Sequence, residues 1–264
     1  MNSHRFLKLL IGPLTKSQED NMDVLILRLD APLMSFGAPI IDRHGKVQSY
    51  PAQSMIAGML GNALGYDHSD HTKLESLQNR LRYASRQDRA GQEIRDYQTV
   101  DLSQDFMLDN NAWTTQGWLD ERKGGSASKG THIRLRDYRA DSIHTVALSL
   151  QPTNENPTID DLKKALQFPE RPLFIGRKTC LPASPLFVQQ MQCTSLTEAL
   201  QKTPLSDRAD LRDRYPAWWP VDENEEQPLA DIEQPVTDRR DWVNQIHVGE
   251  RWIARGEIEI QTED

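Results

Sequence analysis

The stretch Val24-Leu25-Ile26-Leu27-Arg28-Leu29, followed by Asp30-Ala31-Pro32-Leu33-Met34-Ser35-Phe36-Gly37, decides the fold. A short run of Val, Ile and Leu is typical of a strand that is buried on both faces. Pro32 ends this strand, because proline lacks the N–H group that a sheet ladder requires. The Pro-, Ser- and Gly-containing residues that follow predict a loop.

The segment from Pro51 to Gly65 predicts an amphipathic helix. Pro51 suits a first helical turn, and Gly65 suits the left-handed position just past the helix end. The apolar residues recur at helical spacing and are Ala52, Met55, Ile56, Met59, Leu60, Ala63 and Leu64. The unit is therefore a buried strand, a loop and a helix that covers the sheet.

A second helix and two further strands follow. Thr72 and Glu75 have the spacing of a capping box, which predicts a helix carrying Leu74, Leu77 and Leu81. Residues 82–86 and residues 143–150 predict strands, and residues 92–138 lie between them. This excursion contains a Gly- and Ser-rich stretch that cannot pack a core, so it predicts an arm with a mobile tip.

The next elements complete an alternating pattern. Thr158, with Asp161 at the third helical position, predicts the start of another helix. Residues 185–188 predict the strand after it. Strand, helix, strand, arm, strand, helix, strand is the element order of a ferredoxin-like (RRM-type) α+β sandwich.

The C-terminal part gives weaker signals. Ser195 and Glu198 predict a capping box for a short helix that ends near Lys202. The proline-rich residues 204–235 include an acidic run at 222–226 and are interpreted as a loop or linker. Residues 252–260 alternate in the manner of an edge strand.

Composition narrows the class of protein. The 264 residues carry a net charge of −8, which argues against a wholly basic nucleic-acid coat but allows a local basic groove. Cys180 and Cys193 form no disulfide framework or metal motif, so we expect two reduced thiols in a cytoplasmic protein. No apolar run is long enough for a membrane span, and no cofactor is predicted.

Several motifs resemble, in order, those of the CRISPR-associated Cas-five family in its type I-E form. Residues 31–37 and 58–65 match its N-terminal loop and Gly-spaced helix. Arg95-Asp96-Tyr97 and Arg136-Asp137-Tyr138 match the two ends of its thumb, and Gly176-Arg177-Lys178-Thr179-Cys180 matches its Gly-Arg-(Arg/Lys)-x-Cys loop.

This resemblance implies an α+β, ferredoxin-like (RRM-type, RAMP) domain over residues 22–190, with a thumb insertion at about 92–138. Residues 1–21 are expected to be a disordered extension. Residues 191–264 are expected to add a small C-terminal extension made of a helix, a linker and a β-hairpin region.

The resemblance also implies a function. The chain would be a non-catalytic subunit of the Cascade RNA-guided surveillance complex, and would bind and cap the 5′ handle of the CRISPR RNA (crRNA). Its partners would be the crRNA, the backbone subunit, the large subunit and the target DNA near its PAM-proximal end. Base pairing by the guide would then supply sequence specificity toward DNA.

RNA binding requires cations at phosphates and flat side chains or backbone edges at splayed bases. A helix N-terminus near Ser54 would add backbone N–H groups for a phosphate. Two simpler interpretations remain open: the Arg-Asp pairs of the arm are surface charges, and Phe36 plugs the sheet edge. The candidate RNA-binding residues are Ser35, Phe36, Gln53, Ser54, Arg95, Tyr97, Arg136, Tyr138, Arg177 and Lys178.

The main alternative is an enzyme. The type I-C form of the same family cleaves the repeat RNA, and metal-independent cleavage requires a base and an acid at one phosphate. Tyr97, His132 and Lys178 are the candidates, with His44 in the first loop, although no spacing unites them. A hydrolase with a metal site in residues 67–71 is a third, weaker interpretation, because that cluster also suits a helix lead-in.

Overall fold

A computed structural model describes residues 21–38, 40–41, 43–101, 111–113, 119–121, 131–221 and 228–261. The expectations for residues 1–20, for most of the arm tip and for the acidic run 222–226 lie outside the described residues.

The described residues form sixteen strands and four helices. The helices are α1 (Gln53–Ala63), α2 (His71–Arg80), α3 (Ile159–Gln167) and α4 (Leu196–Lys202). The strands are β1 (Met22–Asp30), β2 (Leu33–Met34), β3 (Ile40–Ile41), β4 (His44–Gly45), β5 (Leu81–Arg89), β6 (Gln92–Asp101), β7 (Asn111–Trp113), β8 (Leu119–Glu121), β9 (Thr131–Ala140), β10 (Ile143–Leu150), β11 (Phe187–Cys193), β12 (Tyr215–Pro220), β13 (Ala230–Val236), β14 (Arg239–Asp241), β15 (Ile246–Val248) and β16 (Arg251–Ile258).

A large antiparallel sheet organises these elements, with seven strands in the order β11-β1-β10-β5-β12-β16-β13. The predicted burial of β1 on both faces is confirmed. Leu25 and Leu27 pack into the core beneath α1 and α2, whereas Val24 and Ile26 pack with α4 on the opposite face. The alternation of side chains along a strand produces this division.

Helix α1 forms along the predicted apolar spacing, but it begins at Gln53 with Ala52 as its N-cap, so Pro51 precedes the helix and does not lie in its first turn. Gly65 follows its end with a φ of +78°, the left-handed conformation that favours glycine. The capping box predicted at Thr72 is wrong, because α2 begins at His71 and Thr72 already lies inside the helix. The preceding Asp70 uses its carboxylate to accept from the backbone N–H of Asp67.

Helices α3 and α4 begin as predicted. Thr158 accepts a hydrogen bond from the Asp161 backbone, and the Asp161 carboxylate accepts one from the Thr158 backbone, which completes a capping box. For α4, Ser195 accepts from the backbone N–H of Glu198, but the Glu198 carboxylate binds Thr194 rather than Ser195. Half of that predicted box therefore forms.

The interpretation of residues 204–235 as loop or linker is wrong over two segments. β12 and β13 both belong to the large sheet, and β12 pairs with β5 through Ala217 and Trp218. Burial of Trp218 and Trp219 outweighs the prolines that flank them. β16 lies between β12 and β13 in the sheet, so it is not the edge strand that its alternation predicted.

The arm appears as a second sheet. β6 and β9 pair antiparallel from Gln92↔Ala140 to Asp101↔Thr131, as the excursion predicted. β2 pairs with one end of β9, and the short β4 lies along β9 on the side away from β6. Within the described ranges, no helix has the length and hydropathy needed to cross a bilayer.

Candidate RNA-binding surface

The base of the arm has two faces with different chemistry. On one face, Arg95 donates to the buried carboxylate of Asp137, with an Nε–Oδ1 distance of 2.7 Å. Lys46 Nζ lies 3.4 Å from the same carboxylate. The hydrogen bond from Arg95 is the largest cause that holds the pKa of Asp137 below its usual range. This face is therefore largely neutralised by its own ion pairs.

Arg136 and Tyr138 project from the other face. The loop between α3 and β11 places Arg177 on this same face. The Arg177 guanidinium carbon lies 4.6 Å from the Tyr138 ring centroid, a cation–π arrangement. Arg177 donates to the backbone carbonyls of Asp137 and Gly45, at 2.9 and 3.2 Å. A Cβ atom at Gly45 would lie 2.7 Å from Arg136 Nη1 and 2.9 Å from Arg177 Nη2. Both guanidinium groups thus converge over the bare backbone of Gly45.

This pair of arginines carries unneutralised positive charge. Burial, followed by the charges of Arg177 and Arg134, lowers the pKa of Arg136. Among the described side chains, no carboxylate forms an ion pair with Arg136 or Arg177. Two crowded cations without a protein anion form a favourable site for an external phosphate.

The loop that carries Arg177 is held against the first loop of the chain. Ser35 N–H donates to the Ile175 carbonyl at 3.1 Å. Gly176 has a φ of +91° and lies against the Ser35 backbone. Lys178 follows on an exposed position of the same loop. These contacts place Arg177 beside Arg136 and Tyr138, as the sequence analysis predicted. Lys178 lies at the exposed edge of this group.

Several of the other predicted residues are buried. Phe36 is fully buried, with its ring edge-on to that of His144 at 4.8 Å, so it packs in the core against the interior strand β10 and does not plug the edge of the large sheet. Ser35, Gln53, Ser54 and Tyr138 are also buried, and Tyr138 belongs to the hydrophobic core. The backbone N–H groups of Gln53 and Ser54 already donate to Asp238, so these two donors at the start of α1 are occupied.

The residues considered for catalysis are dispersed: Tyr97 and His132 lie on the arm, His44 on β4, and Lys178 on the loop between α3 and β11. Tyr97 is 61% exposed and lies opposite Leu135, whereas His132 lies opposite Val100. The two positions are three ladder steps apart and face opposite sides of the sheet. His44 also pairs with Leu135, from the other side of β9. Within the described ranges, no group of three or more His, Cys, Asp or Glu side chains is arranged to hold a metal ion.

A cavity of about 400 Å³ adjoins the Arg177 side of this surface. Its far wall is the β14–β15 hairpin, which contributes Arg240, Trp242 and His247. Sequence reasoning missed these residues, since it treated the region as weakly defined. The run Arg239-Arg240-Asp241-Trp242, which places cations beside an aromatic ring, was the available signal.

Comparisons with known proteins identify the family and similar folds. A family model described as CRISPR-associated protein (Cas_Cas5) matches residues 24–254. The CRISPR system Cascade subunit CasD of Escherichia coli (strain K12) is 29% identical over 184 residues, which cover 67% of this chain and 75% of that protein.

Two solved structures are similar in fold. A chain of a structure described as a CRISPR RNA-guided surveillance complex superposes with a TM-score of 0.60 at 22% identity, covering 90% of each chain. A structure described as a Cas protein superposes with a TM-score of 0.58 at 21% identity, covering 89% of this chain and 95% of the other.

Proposed function

Since the chain belongs to the CRISPR-associated Cas5 family, we propose that it is a non-catalytic subunit of a Cascade surveillance complex that binds and caps the 5′ handle of the crRNA. The similarity to the Cascade subunit CasD supports the type I-E form that the sequence motifs suggested. The proposed place of action is the cytoplasm.

The proposed fold is a ferredoxin-like, RAMP-type core with added strands. Its support is the strand order β11-β1-β10-β5, in which α1 and α2 connect β1 to β5, and α3 connects β10 to β11. That is the order expected when a split βαβ motif occurs twice in an antiparallel sheet. β12, β16 and β13 extend this core on the β5 side.

The observation that carries the proposal is the convergence of Arg136 and Arg177 over Gly45. The two guanidinium groups fill the space above Gly45, so a ribose–phosphate strand would meet them and not the buried glycine backbone. The two guanidinium groups would then bind its phosphates with charge-assisted hydrogen bonds. The exposed Lys178 extends this surface along the loop, whereas Tyr97 lies on the Arg95–Asp137 face of the arm.

The proposed partners follow from the same arrangement. The crRNA handle would occupy the arm base, and the arm would reach the neighbouring backbone subunit. The large subunit and the PAM-proximal target DNA would lie at the same end of the complex. Ile94 and Val100 are exposed apolar residues on one face of β6, and that face of the arm would contact the protein partner.

The test is Arg136→Ala, assayed by equilibrium binding of the purified full chain to a labelled CRISPR repeat RNA at several salt concentrations. We expect binding to weaken and the salt slope to fall by about 1, because one phosphate contact is removed. Arg214→Ala is the matched control. Arg214 is exposed and pairs with Glu259, and the two residues lie just before β12 and just after β16. Equal RNA affinity in the two variants would show that Arg136 is only a surface charge.

A further inference from the structure

The cavity beside Arg177 has three walls. α1 forms one wall, residues 171–177 form the second, and the β14–β15 hairpin forms the third. We call this space the hairpin cavity. Its volume of about 400 Å³ lies in the range of pockets that hold small organic ligands. Arg177 lines the cavity and also lies beside Arg136, so the cavity adjoins the surface where the RNA is proposed to bind.

The hairpin cavity is positively charged although the protein is acidic overall. Four of the described lining side chains are Lys or Arg, and one, Asp67, is acidic. Lys46 lies 3.4 Å from Asp137 and Arg171 lies 3.8 Å from Asp67, so Arg177 and Arg240 are the lining cations without an ion pair among the described residues. In a chain with a net charge of −8, this local excess of cations favours an anionic ligand.

Arg240 is the most informative of these cations. Burial lowers its pKa, and no described carboxylate forms an ion pair with it. Its Nε atom is buried and has no hydrogen-bond partner in the described part of the chain. A partly desolvated guanidinium without an anion is costly unless a ligand supplies the missing charge.

The wall that carries Arg240 is held firmly in place. The Arg240 backbone N–H donates to Gln78 on α2 at 3.0 Å, and the guanidinium carbon lies 5.6 Å from the Trp242 ring centroid. Trp242 is buried, and a Cβ atom at Gly58 on α1 would lie 3.3 Å from its ring. Asp238, just before the hairpin, accepts from the first N–H of α1 and pairs with Arg251.

Groups suited to a nucleobase lie in the same cavity. Tyr66 and Phe174 are partly exposed aromatic rings among its lining residues. His247 lies opposite Arg240 in the hairpin ladder. Burial and the neighbouring Arg240 lower the pKa of His247, so its imidazole is neutral near pH 7 and can both donate and accept a hydrogen bond.

We propose that the hairpin cavity holds one nucleotide of the bound RNA, with its phosphate at Arg240 and its base against Tyr66 and Phe174. The strand would enter from the Arg136–Arg177 cluster. This inference rests on the proposed RNA-binding function and adds to it a nucleotide site on the C-terminal hairpin.

The first test compares Arg240→Gln with Arg239→Gln in the full chain. Arg239 is the adjacent hairpin residue, but its guanidinium is hydrogen-bonded to Asn79 and lies 3.8 Å from Glu75, outside the cavity. The probe is a labelled CRISPR repeat RNA, and thermal unfolding of both variants reports on folding. We expect Arg240→Gln to weaken RNA binding about tenfold or more and to reduce the salt slope by about 1. Arg239→Gln should match the wild type.

The second test uses the unaltered protein and is therefore independent of variant folding. The same RNA is prepared with 4-thiouridine at single positions, irradiated in the complex and mapped by mass spectrometry. We expect one RNA position to cross-link to residues 171–177 or 239–248.

The outcomes separate this inference from the proposed function. If the wild type binds the RNA, Arg240→Gln and Arg239→Gln bind equally well, and no position cross-links to the cavity walls, the cavity site is wrong while RNA binding stands. If the wild type itself does not bind the RNA, the proposed function fails first. Loss of affinity confined to Arg240→Gln, together with a cavity cross-link, supports the site.

Discussion

Gly176 lies so close to Ser35 that a Cβ atom at position 176 would overlap the Ser35 carbonyl oxygen. The contact fixes the loop that carries Arg177 to the loop that follows β1. Gly176 also has a φ of +91°, which L-residues with side chains rarely adopt. One glycine therefore determines where the guanidinium of Arg177 lies relative to the arm.

We expect Gly176→Ala to lower the free energy of unfolding and to weaken RNA binding. Backbone strain alone contributes about 1–3 kcal/mol, and the overlap with Ser35 adds to it. Urea unfolding and RNA binding measure the two effects. Gly249→Ala is the matched control, because Gly249 has a φ of +71° but no atom within 4 Å of its added Cβ. If both variants lose the same stability, the contact with Ser35 has no role.

Local rules were sufficient to predict much of the fold. β1, most of α1 and the start of α3 at Thr158 depend on residues that are close in sequence, and these form as predicted. β12 could not be predicted in this way. Its place beside β5 depends on burial of Trp218 and Trp219 by residues that are distant in sequence. Contacts of this kind cannot be predicted from a short segment of sequence.

The candidate site was predictable in part for the same reason. The motif loop does bring Arg177 to Arg136 and Tyr138. The sequence analysis grouped Arg95 with Arg136 and Tyr138. It overlooked that side chains alternate between the two faces of the arm, which places Arg95 beside Asp137. Arg240 was missed because its position depends on the long-range contact of the C-terminal hairpin with α1 and α2.

Stability should fall in acid because of His144. Its side chain is fully buried, and desolvation lowers its pKa from 6.5 to about 3. Between these pH values the unfolded chain binds a proton that the folded chain excludes. The free energy of unfolding should therefore decrease as the pH falls below 6.5, by up to about 1.4 kcal/mol per pH unit.

The measurement is urea unfolding of the wild type and of His144→Phe at several pH values between 6.5 and 4.5. The variant lacks the titrating group, so its pH slope should be smaller. His247, whose pKa is also lowered, remains in both proteins and cancels in the comparison. Identical slopes would show that His144 is accessible to protons in the folded state.

The buried charge cluster around Asp88 should matter more for stability than any exposed ion pair. Arg86 and Asp88 are both fully buried, with an Nε–Oδ1 distance of 2.6 Å, and Arg28 Nη1 lies 3.2 Å from the same carboxylate. Asp88→Asn leaves the buried guanidinium of Arg86 and the partly buried one of Arg28 without their shared anion. We expect it to lower the free energy of unfolding by about 3–5 kcal/mol.

Urea unfolding measures this loss, and Glu259→Gln is the control. Glu259 pairs with Arg214 at the surface, where both side chains are more than half exposed, so its removal should not change stability measurably. A loss at Asp88 no larger than that at Glu259 would mean that water reaches the Arg86 cluster.

The purified chain should leave a CRISPR repeat RNA intact in the presence of EDTA. Metal-independent cleavage requires a base at the 2′-hydroxyl and an acid at the leaving oxygen of one phosphate. The ladder places Tyr97 and His132 on opposite faces of the arm, three steps apart, which does not suit this chemistry. A denaturing gel of the labelled RNA is the measurement.

Discrete cleavage at one position that is lost in His132→Ala or Tyr97→Phe would instead identify a repeat endoribonuclease. Cleavage that persists in both variants and in Arg214→Ala prepared in parallel would indicate a contaminating nuclease.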